Sequence, residues 1–279
     1  ELQKPAEGSV LGKNSEGEEI KWTAVKADSL NRFRLPRPAG GWGARRGGSM
    51  FSNNSYLYVT YTSGRETNAL LNTKGSSTVY VNGAPHAGDP YASGWLYIPV
   101  KLKKGLNEFY IRSGFGTSAA LIFPKKSILL NTEDPTLPVL VLQGDNAGAK
   151  GAIVVINATE KPLPGLTIRA VLSGKEAITP VPSIPAMSSR KVPFSFDGTG
   201  IAEKGKYDIS LSLLKGNSLL DEQKAPVEVV APGQSYSNTF ISDIDGSLQY
   251  YGVTPQSSPN QSNAALFLSV HGAGVEAIG

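Results

Sequence analysis

Residues 264–279 have the sequence AALFLSVHGAGVEAIG, and this stretch decides the predicted architecture. Ala264–Val270 is an almost unbroken apolar run, bounded by the turn-rich residues Gln256–Asn263 before it and by His271–Gly274 after it. A short apolar run between turn signals predicts a strand that is buried on both faces, as in a parallel sheet covered by helices. Such a strand needs partners on both edges, because an unpaired apolar edge promotes aggregation. Since the preceding sequence offers almost no helices, we expect the chain to be the front part of a larger protein.

The sequence before this run predicts a β-hairpin. In Phe240–Pro255 (FISDIDGSLQYYGVTP), Asp245-Gly246 is a turn signal and Leu248–Val253 is the return strand. Together with the H-G-x-G motif at residues 271–274, this segment resembles the start of the catalytic domain of α/β-hydrolases, in particular secreted esterases and prolyl-oligopeptidase-like enzymes. The resemblance covers residues 240–279 and implies the first strands of an α/β-hydrolase sheet.

The resemblance also implies an oxyanion hole, formed in that superfamily by a backbone N–H of this loop. Glycines let the backbone approach the substrate closely, with amides directed into the site. By this pattern Ala273 supplies the first amide and Gly274 the second, within the motif His271, Gly272, Ala273 and Gly274. The sequence has no G-x-S-x-G nucleophile motif, and the family places its triad downstream of this loop. We therefore assign no catalytic residue to this chain and expect a missing C-terminal catalytic region, on the same polypeptide or an associated fragment.

The amino-acid composition excludes several kinds of site and partner. The 279 residues carry 27 Lys and Arg against 23 Asp and Glu, and a net charge of +4 is too weak to indicate nucleic acid as a partner. The absence of cysteine excludes disulfides, thiolate metal sites and a cysteine nucleophile. No apolar run reaches the length of about 18 residues that a membrane-spanning helix needs. We expect no cofactor, no metal and no membrane span, and we expect a secreted or periplasmic location.

Residues 16–132, after an N-terminal extension at residues 1–15, predict a first β-sandwich. Short alternating segments are separated by Gly, Pro and Asn clusters, which is typical of all-β sandwiches and barrels. The predicted strands are Tyr56–Thr62, Thr78–Val81, Trp95–Val100, Asn107–Arg112 and Ala119–Phe123, with a tight turn at Asn82-Gly83. The sequence VYVNG at 79–83, followed by IPVKLKKGLNEFYI at 98–111, resembles galactose-binding-like jelly rolls, which occur as accessory domains of glycoside hydrolases.

One candidate ligand site in this domain is the loop Asn31–Gly48, which combines five arginines with glycines and the aromatic residue Trp42. Such a loop can bind an anion, a sugar or single-stranded nucleic acid, and we favour carbohydrate or a domain interface because the basic residues do not extend along the chain. The alternative is a solvated loop that caps the sandwich. The candidate residues are Trp42, Arg45 and Arg46.

A second candidate site is aromatic. Tyr91, Trp95 and Tyr97 lie near a Gly-rich loop, and aromatic rings on a jelly-roll face can stack on sugar rings. Of these we take Trp95 as the candidate ligand-binding residue. The alternative is ordinary core or edge packing. His86 is expected in a loop, and a histidine without a second ligand does not predict a metal site.

Residues 133–232 predict a second sandwich of the immunoglobulin or fibronectin-III type. About seven alternating strands in a hundred residues, without a cysteine pair, favour this class. Residues 233–279 are then the incomplete start of the hydrolase domain. The predicted strands are Val139–Leu142, Gly151–Asn157, Leu166–Leu172, Arg190–Phe196, Tyr207–Leu213 and Ala225–Val230.

Three functions fit these observations. The first is the accessory β-sandwich region, with the oxyanion-loop strand, of a secreted serine hydrolase that acts on an ester or peptide bond and has its triad outside this chain. The second is a non-catalytic β-sandwich module that binds carbohydrate or a protein partner. The third is a structural or adhesin-type surface protein built from stacked β-domains.

Overall fold

The computed structural model describes residues 4–13, 16–29, 32–33, 55–256 and 265–270, and it divides the chain into two compact units, Glu1–Pro124 and Lys125–Gly279. Every regular element in the described residues is a β-strand, and almost all pairings are antiparallel. The strands of unit 1 are β1 (Val10–Lys13), β2 (Glu19–Lys21), β3 (Arg32–Phe33), β4 (Ser55–Ser63), β5 (Thr67–Val81), β6 (Ala84–Asp89), β7 (Ile98–Leu102) and β8 (Gly105–Ile122). The mainly-β prediction is therefore confirmed.

Unit 1 is organised around the two longest strands, β5 and β8, which pair in the middle of a six-stranded sheet. The described part also contains the separate hairpin β1–β2. Alternating side chains of β4, β5 and β8, such as Leu57, Val79 and Ile111, form the buried core. The predicted turn at Asn82-Gly83 is confirmed, because both residues have the positive φ (50° and 88°) that a tight hairpin turn of this type requires. The jelly-roll topology stays a prediction.

Unit 2 contains two sheets that enclose one core, and is therefore a β-sandwich. One sheet has the order β10-β16-β15-β12-β13 and the other β14-β11-β9. The core contains alternating residues of both sheets, including Ile153, Ile168, Phe194 and Leu211, as the alternation predicts. The immunoglobulin-type topology and the domain limits stay predictions. The strands are β9 (Ile128–Thr136), β10 (Leu140–Val141), β11 (Ala149–Asn157), β12 (Leu166–Leu172), β13 (Lys175–Val181), β14 (Ser188–Phe196), β15 (Gly205–Lys215) and β16 (Ser218–Val230).

The hairpin predicted after the second sandwich is present. Its strands are β17 (Tyr236–Ile241) and β18 (Leu248–Val253), in continuous antiparallel register. In the connecting turn the Asp245 carboxylate accepts hydrogen bonds from Ser247 N (3.0 Å) and Ser247 Oγ (2.7 Å). These bonds stabilise the charged form and lower the pKa of Asp245. Gly246 has φ of 71°, which explains why glycine stands here.

The buried strand predicted at Ala264–Val270 is not what the structure shows. Residues 265–270 form no strand, and Leu266, Phe267, Leu268 and Val270 are between 81% and 96% exposed. The physical reason is that an apolar run becomes a buried strand only where neighbouring strands and a covering layer are supplied, and the described residues supply neither here. An α/β-hydrolase sheet is thus not confirmed.

Two smaller predictions in unit 1 also need correction. His86 lies inside strand β6, where it pairs with Val79, and not in a loop. Strand β7 begins at Ile98, so that Trp95 belongs to the loop before it. In both cases the pairing with the long partner strand β5, and not the local sequence pattern, determines which neighbouring residues form the strand.

Candidate aromatic binding site

The candidate site is the segment Pro90–Tyr97, called here the aromatic loop, which connects β6 to β7 in unit 1. Both strands pair with the same edge of β5, β7 along Thr67–Leu71 and β6 along Ser76–Val81. Between these two pairings, no strand among the described residues pairs with this edge of β5. The aromatic loop closes this gap, so that its position is set by the sheet on both sides.

Asp89, at the end of β6, holds the first half of the loop. Its side chain is buried, and its two carboxylate oxygens accept hydrogen bonds from Ser93 N (3.1 Å), Ser93 Oγ (2.8 Å) and Gly94 N (2.6 Å). The Asp89 carbonyl also accepts a hydrogen bond from Ala92 N (3.1 Å). Hydrogen bonds to an ionised acceptor are shorter and stronger than neutral ones. Asp89 therefore fixes the backbone of three consecutive loop residues, Ser93 and Gly94 through its carboxylate and Ala92 through its main-chain carbonyl.

Asn72, in the gap of β5, holds the second half. Its side-chain amide donates to the carbonyls of Gly94 (2.7 Å) and Leu96 (2.9 Å). The side chain thus takes the place of the missing strand partner at this edge. Because both amide hydrogens are used and Asn72 is buried, the loop cannot move outward without leaving polar groups without partners.

Two glycines complete the loop geometry. Gly88 lies so close to β5 that a Cβ atom there would meet the Ser76 carbonyl oxygen at 2.2 Å. Gly94 has φ of 90°, a region that other residues rarely adopt, and the end of the Lys74 side chain packs directly against it. The close pairing of β6 with β5 therefore depends on glycine at 88, and the loop backbone depends on glycine at 94.

The fixed loop presents aromatic rings at the surface. Tyr91 is 65% and Trp95 is 43% exposed, while Tyr97 is half-buried. Large exposed aromatic side chains on an ordered backbone suit binding, since little conformational entropy remains to be lost when a ligand stacks on them. The arrangement thus has the chemistry of a recognition surface.

His86 lies on the neighbouring strand and is half-buried, and this burial lowers its pKa. It is therefore neutral at neutral pH. Across the described residues, no three His, Cys, Asp or Glu side chains converge on a point where they could bind a metal ion. The same part of the chain contains no helix of the length and apolar character needed to cross a membrane.

Of the residues predicted for ligand binding, Trp95 lies in the aromatic loop and is exposed. Trp42, Arg45 and Arg46 lie outside the described residues, as do the oxyanion residues His271, Gly272, Ala273 and Gly274. Their roles stay predictions.

The residues that sequence reasoning missed are the ones that shape the loop, Asn72 and Asp89. The segment DPYASG at 89–94 does carry a signal, because an Asp followed by Ser and Gly favours a turn closed by the side chain. Nothing local marks Asn72, whose two acceptors lie 22 and 24 residues later in the chain.

Comparisons with known proteins leave the family open. No family model matches the chain, and no curated protein matches it. Among solved structures, the chain is similar to the CARDB domain of a Pyrococcus furiosus protein, with 20% identity over 37% of this chain and 94% of that one, at a TM-score of 0.28.

Two enzymes are also among these structures. The chain is similar to a β-glucuronidase of glycoside hydrolase family 2 (12% identity over 70% of this chain, TM-score 0.31) and to the Ruminococcus gnavus β-glucuronidase (13% over 69%, TM-score 0.28). It spans only 25% and 37% of the length of these two enzymes. At these scores the likeness supports no conclusion on activity.

Proposed function

We propose that this chain is a non-catalytic β-sandwich module that binds carbohydrate through the aromatic loop of unit 1. The observation that carries the proposal is the exposure of Tyr91 and Trp95 on a backbone that buried Asp89 and Asn72 hold in place. Sugar rings present flat arrays of C–H groups that pack on aromatic faces, and a pre-ordered platform reduces the entropic cost of binding. A secreted or periplasmic location, where polysaccharides are met, belongs to the same proposal.

The proposal is tested by screening the chain against an array of neutral and acidic oligosaccharides and measuring the affinity for the best ligand by calorimetry. Trp95→Ala and Tyr91→Ala should each weaken binding about tenfold or more, since buried aromatic anchors dominate recognition. Phe123→Ala is the matched control, because Phe123 is an aromatic residue of the same unit, 49% exposed and outside the loop. Absence of any glycan binding, or equal losses in all three variants, would refute the proposal.

A second candidate is the accessory region of a secreted serine hydrolase, with the triad in a catalytic region outside this chain. The hairpin β17–β18, present where the resemblance implied it, favours this candidate. A fluorophosphonate probe applied to the natural polypeptide tests it, because the probe labels an activated serine. The hydrolase candidate predicts labelling, and its loss when Gly272 and Gly274 are both replaced by valine. Absence of labelling would remove this candidate and leave the carbohydrate proposal standing.

A further inference from the structure

Strand β18 has an open edge. In the turn of the hairpin, Ser242 N donates to Ser247 O (2.8 Å), so these two residues form a hydrogen-bonded pair. Backbone groups alternate in direction along an antiparallel ladder, and the N–H and C=O groups of Leu248, Tyr250 and Gly252 therefore point away from β17. The same alternation directs Ser237 of β17 outward, and Ser237 O indeed accepts a hydrogen bond from Val139 N (2.9 Å).

No second strand pairs with this edge of β18 in the part of the chain that the structure describes. The edge also lacks the features that protect exposed edges, since Leu248–Val253 (LQYYGV) contains no charge and no proline, and its register has no bulge. The outer strand β13 of the sandwich is different, because it carries Lys175, Glu176 and Pro180. The edge of β13 is protected, and that of β18 is suited to accept a strand.

The same unit contains a segment with the complementary property. Residues 265–270 (ALFLSV) are uncharged, and their four large apolar side chains are at least 81% exposed. Short uncharged segments of this composition have a high tendency to form β-strands and to pair with open edges. Neighbouring rings on β18 would contact such a strand on both of its faces, since Tyr250 and Tyr251 point to opposite sides and are each 44% exposed.

We propose that two copies of this chain associate by strand addition, each placing residues 265–270 along the β18 edge of the other. Each copy carries both halves of the contact, so that two identical contacts close the dimer with twofold symmetry. Neither strand carries a charge, so that pairing brings no like charges together within the contact itself. The inference concerns unit 2 and is independent of carbohydrate binding.

The test is sedimentation velocity of this chain over the micromolar to millimolar range, with four variants. Gly252→Pro removes an outward N–H and obstructs the edge, whereas Gly252→Ala keeps the N–H and is its control. Leu266→Asp/Leu268→Asp places charge in the added strand, and Ile178→Asp is its control, because Ile178 is an apolar residue of the same unit that is 60% exposed. We expect a dimer that Gly252→Pro and the double variant weaken about a hundredfold, and that both controls retain.

Hydrogen exchange of the same samples separates pairing between copies from pairing within one copy. In a dimer of the proposed kind, protection of the Tyr250 and Gly252 amides rises with protein concentration and is lost in the Leu266→Asp/Leu268→Asp variant. A chain that stays monomeric over the whole range, protection that does not depend on concentration, or a dimer that Gly252→Pro leaves intact would each overturn the proposal.

Discussion

The two units of this protein are stabilised in different ways. Among the described residues, a core of twenty buried apolar residues lies between the two sheets of unit 2, whereas the corresponding core of unit 1 has nine around one large sheet. The described residues bury eight polar side chains in unit 1 against five in unit 2, and those of unit 1 include Asn72, Asp89 and Asn107, which bind backbone groups of loops and strand ends. Apolar burial is non-directional and gives a stable scaffold, while buried hydrogen bonds fix particular backbone positions. The proposed binding surface thus lies in the unit whose described interior has the larger share of polar side chains.

The largest expected effect is a loss of stability caused by a substitution in the core of the unit 2 sandwich. Phe194→Ala should lower the free energy of unfolding of unit 2 by about 3–5 kcal/mol, since a large ring is replaced by a cavity. Phe194 is 1% exposed and contacts Phe196, with ring centroids 6.0 Å apart. Ile178→Ala, at an exposed position of the same unit, should change the free energy by less than about 0.5 kcal/mol.

The unequal distribution of tryptophan between the two units allows their unfolding to be followed separately. All three tryptophans, Trp22, Trp42 and Trp95, belong to unit 1, so that tryptophan fluorescence follows unit 1 and circular dichroism follows both units. In urea titrations of Phe194→Ala, we expect the dichroism transition to shift while the fluorescence transition stays in place. A shift of the fluorescence midpoint by the same amount would show that the two cores unfold together and that the comparison is wrong.

The second effect concerns the buried amide Asn107 of unit 1. Its side chain accepts hydrogen bonds from Lys103 N (2.9 Å) and from the Asn82 side chain (2.8 Å), and it donates to Lys103 O (2.9 Å) and Gly105 O (3.0 Å). Asn107→Ala should lower the stability of unit 1 by about 2–3 kcal/mol, because several backbone groups lose their partner at once.

Fluorescence-detected urea unfolding measures this loss. Leu106→Ala is the control, since Leu106 is the neighbouring residue and is 40% exposed. If the control destabilises unit 1 as much as Asn107→Ala does, apolar contacts rather than buried hydrogen bonds hold this end of the sheet.

The alternation of apolar residues predicted six of the eight strands of the sandwich, because its core is regular, whereas β9 and β13 were missed. Unit 1 was harder, since β5 and β8 bury Thr73, Ser76 and Thr117 at positions where a strand pattern requires apolar residues. Their hydroxyls bond to one another or to the backbone around irregular register, as when Thr117 Oγ1 donates to Gly75 O (2.9 Å). Residues 265–270 show the opposite case. Their local apolar pattern predicts a strand, but no strand in the described chain pairs with them.

Only part of the candidate site was proposed from the sequence. Trp95 was proposed from the sequence because an aromatic residue beside a turn-rich segment can be recognised without a structure, and its role in binding stays a prediction. Asn72 and Asp89 were not, because their importance comes from the gap between β6 and β7 along one edge of β5. That gap is a consequence of pairing between distant segments, which composition and spacing do not reveal.

A third substitution tests whether glycan binding depends on the ordered backbone of the aromatic loop as well as on its aromatic rings. Asp89→Ala leaves the donors of Ser93 and Gly94 without their acceptor, at a local cost of about 1–3 kcal/mol. We expect faster hydrogen exchange of these two amides and weaker glycan binding, although Tyr91 and Trp95 remain in place. Asp89→Asn, which keeps one carbonyl oxygen as acceptor, should lie between the wild type and Asp89→Ala. Unchanged glycan affinity in Asp89→Ala would mean that ring exposure alone, and not the ordered backbone, determines binding.

The smallest effect is a difference in pH dependence. Burial and the hydrogen bond that Tyr58 Oη donates to Glu108 (2.6 Å) raise the pKa of Tyr58 from 10.0 to about 12 in unit 1. The folded state then binds this proton more tightly than the unfolded chain does. The resulting stability is fully present below pH 10 and is lost as the pH rises through 12. In unit 2, hydrogen bonds from Thr199 lower the pKa of Asp197, whose contribution is present above pH 3.8 and is lost as the pH falls through its lowered pKa.

Tyr58→Phe should therefore flatten the fall in stability between pH 10 and 12 in the fluorescence transition of unit 1. Asp197→Asn, at a partly exposed position in unit 2, should change only the acid side of the dichroism transition, and by less, because solvent screens the charge. The neighbouring Tyr110 also has a raised pKa, through burial, so that part of the alkaline slope should remain in Tyr58→Phe. An alkaline slope identical to that of the wild type would mean that the hydrogen bond to Glu108 contributes nothing, and that Tyr110 alone makes unit 1 the alkali-sensitive half of the molecule.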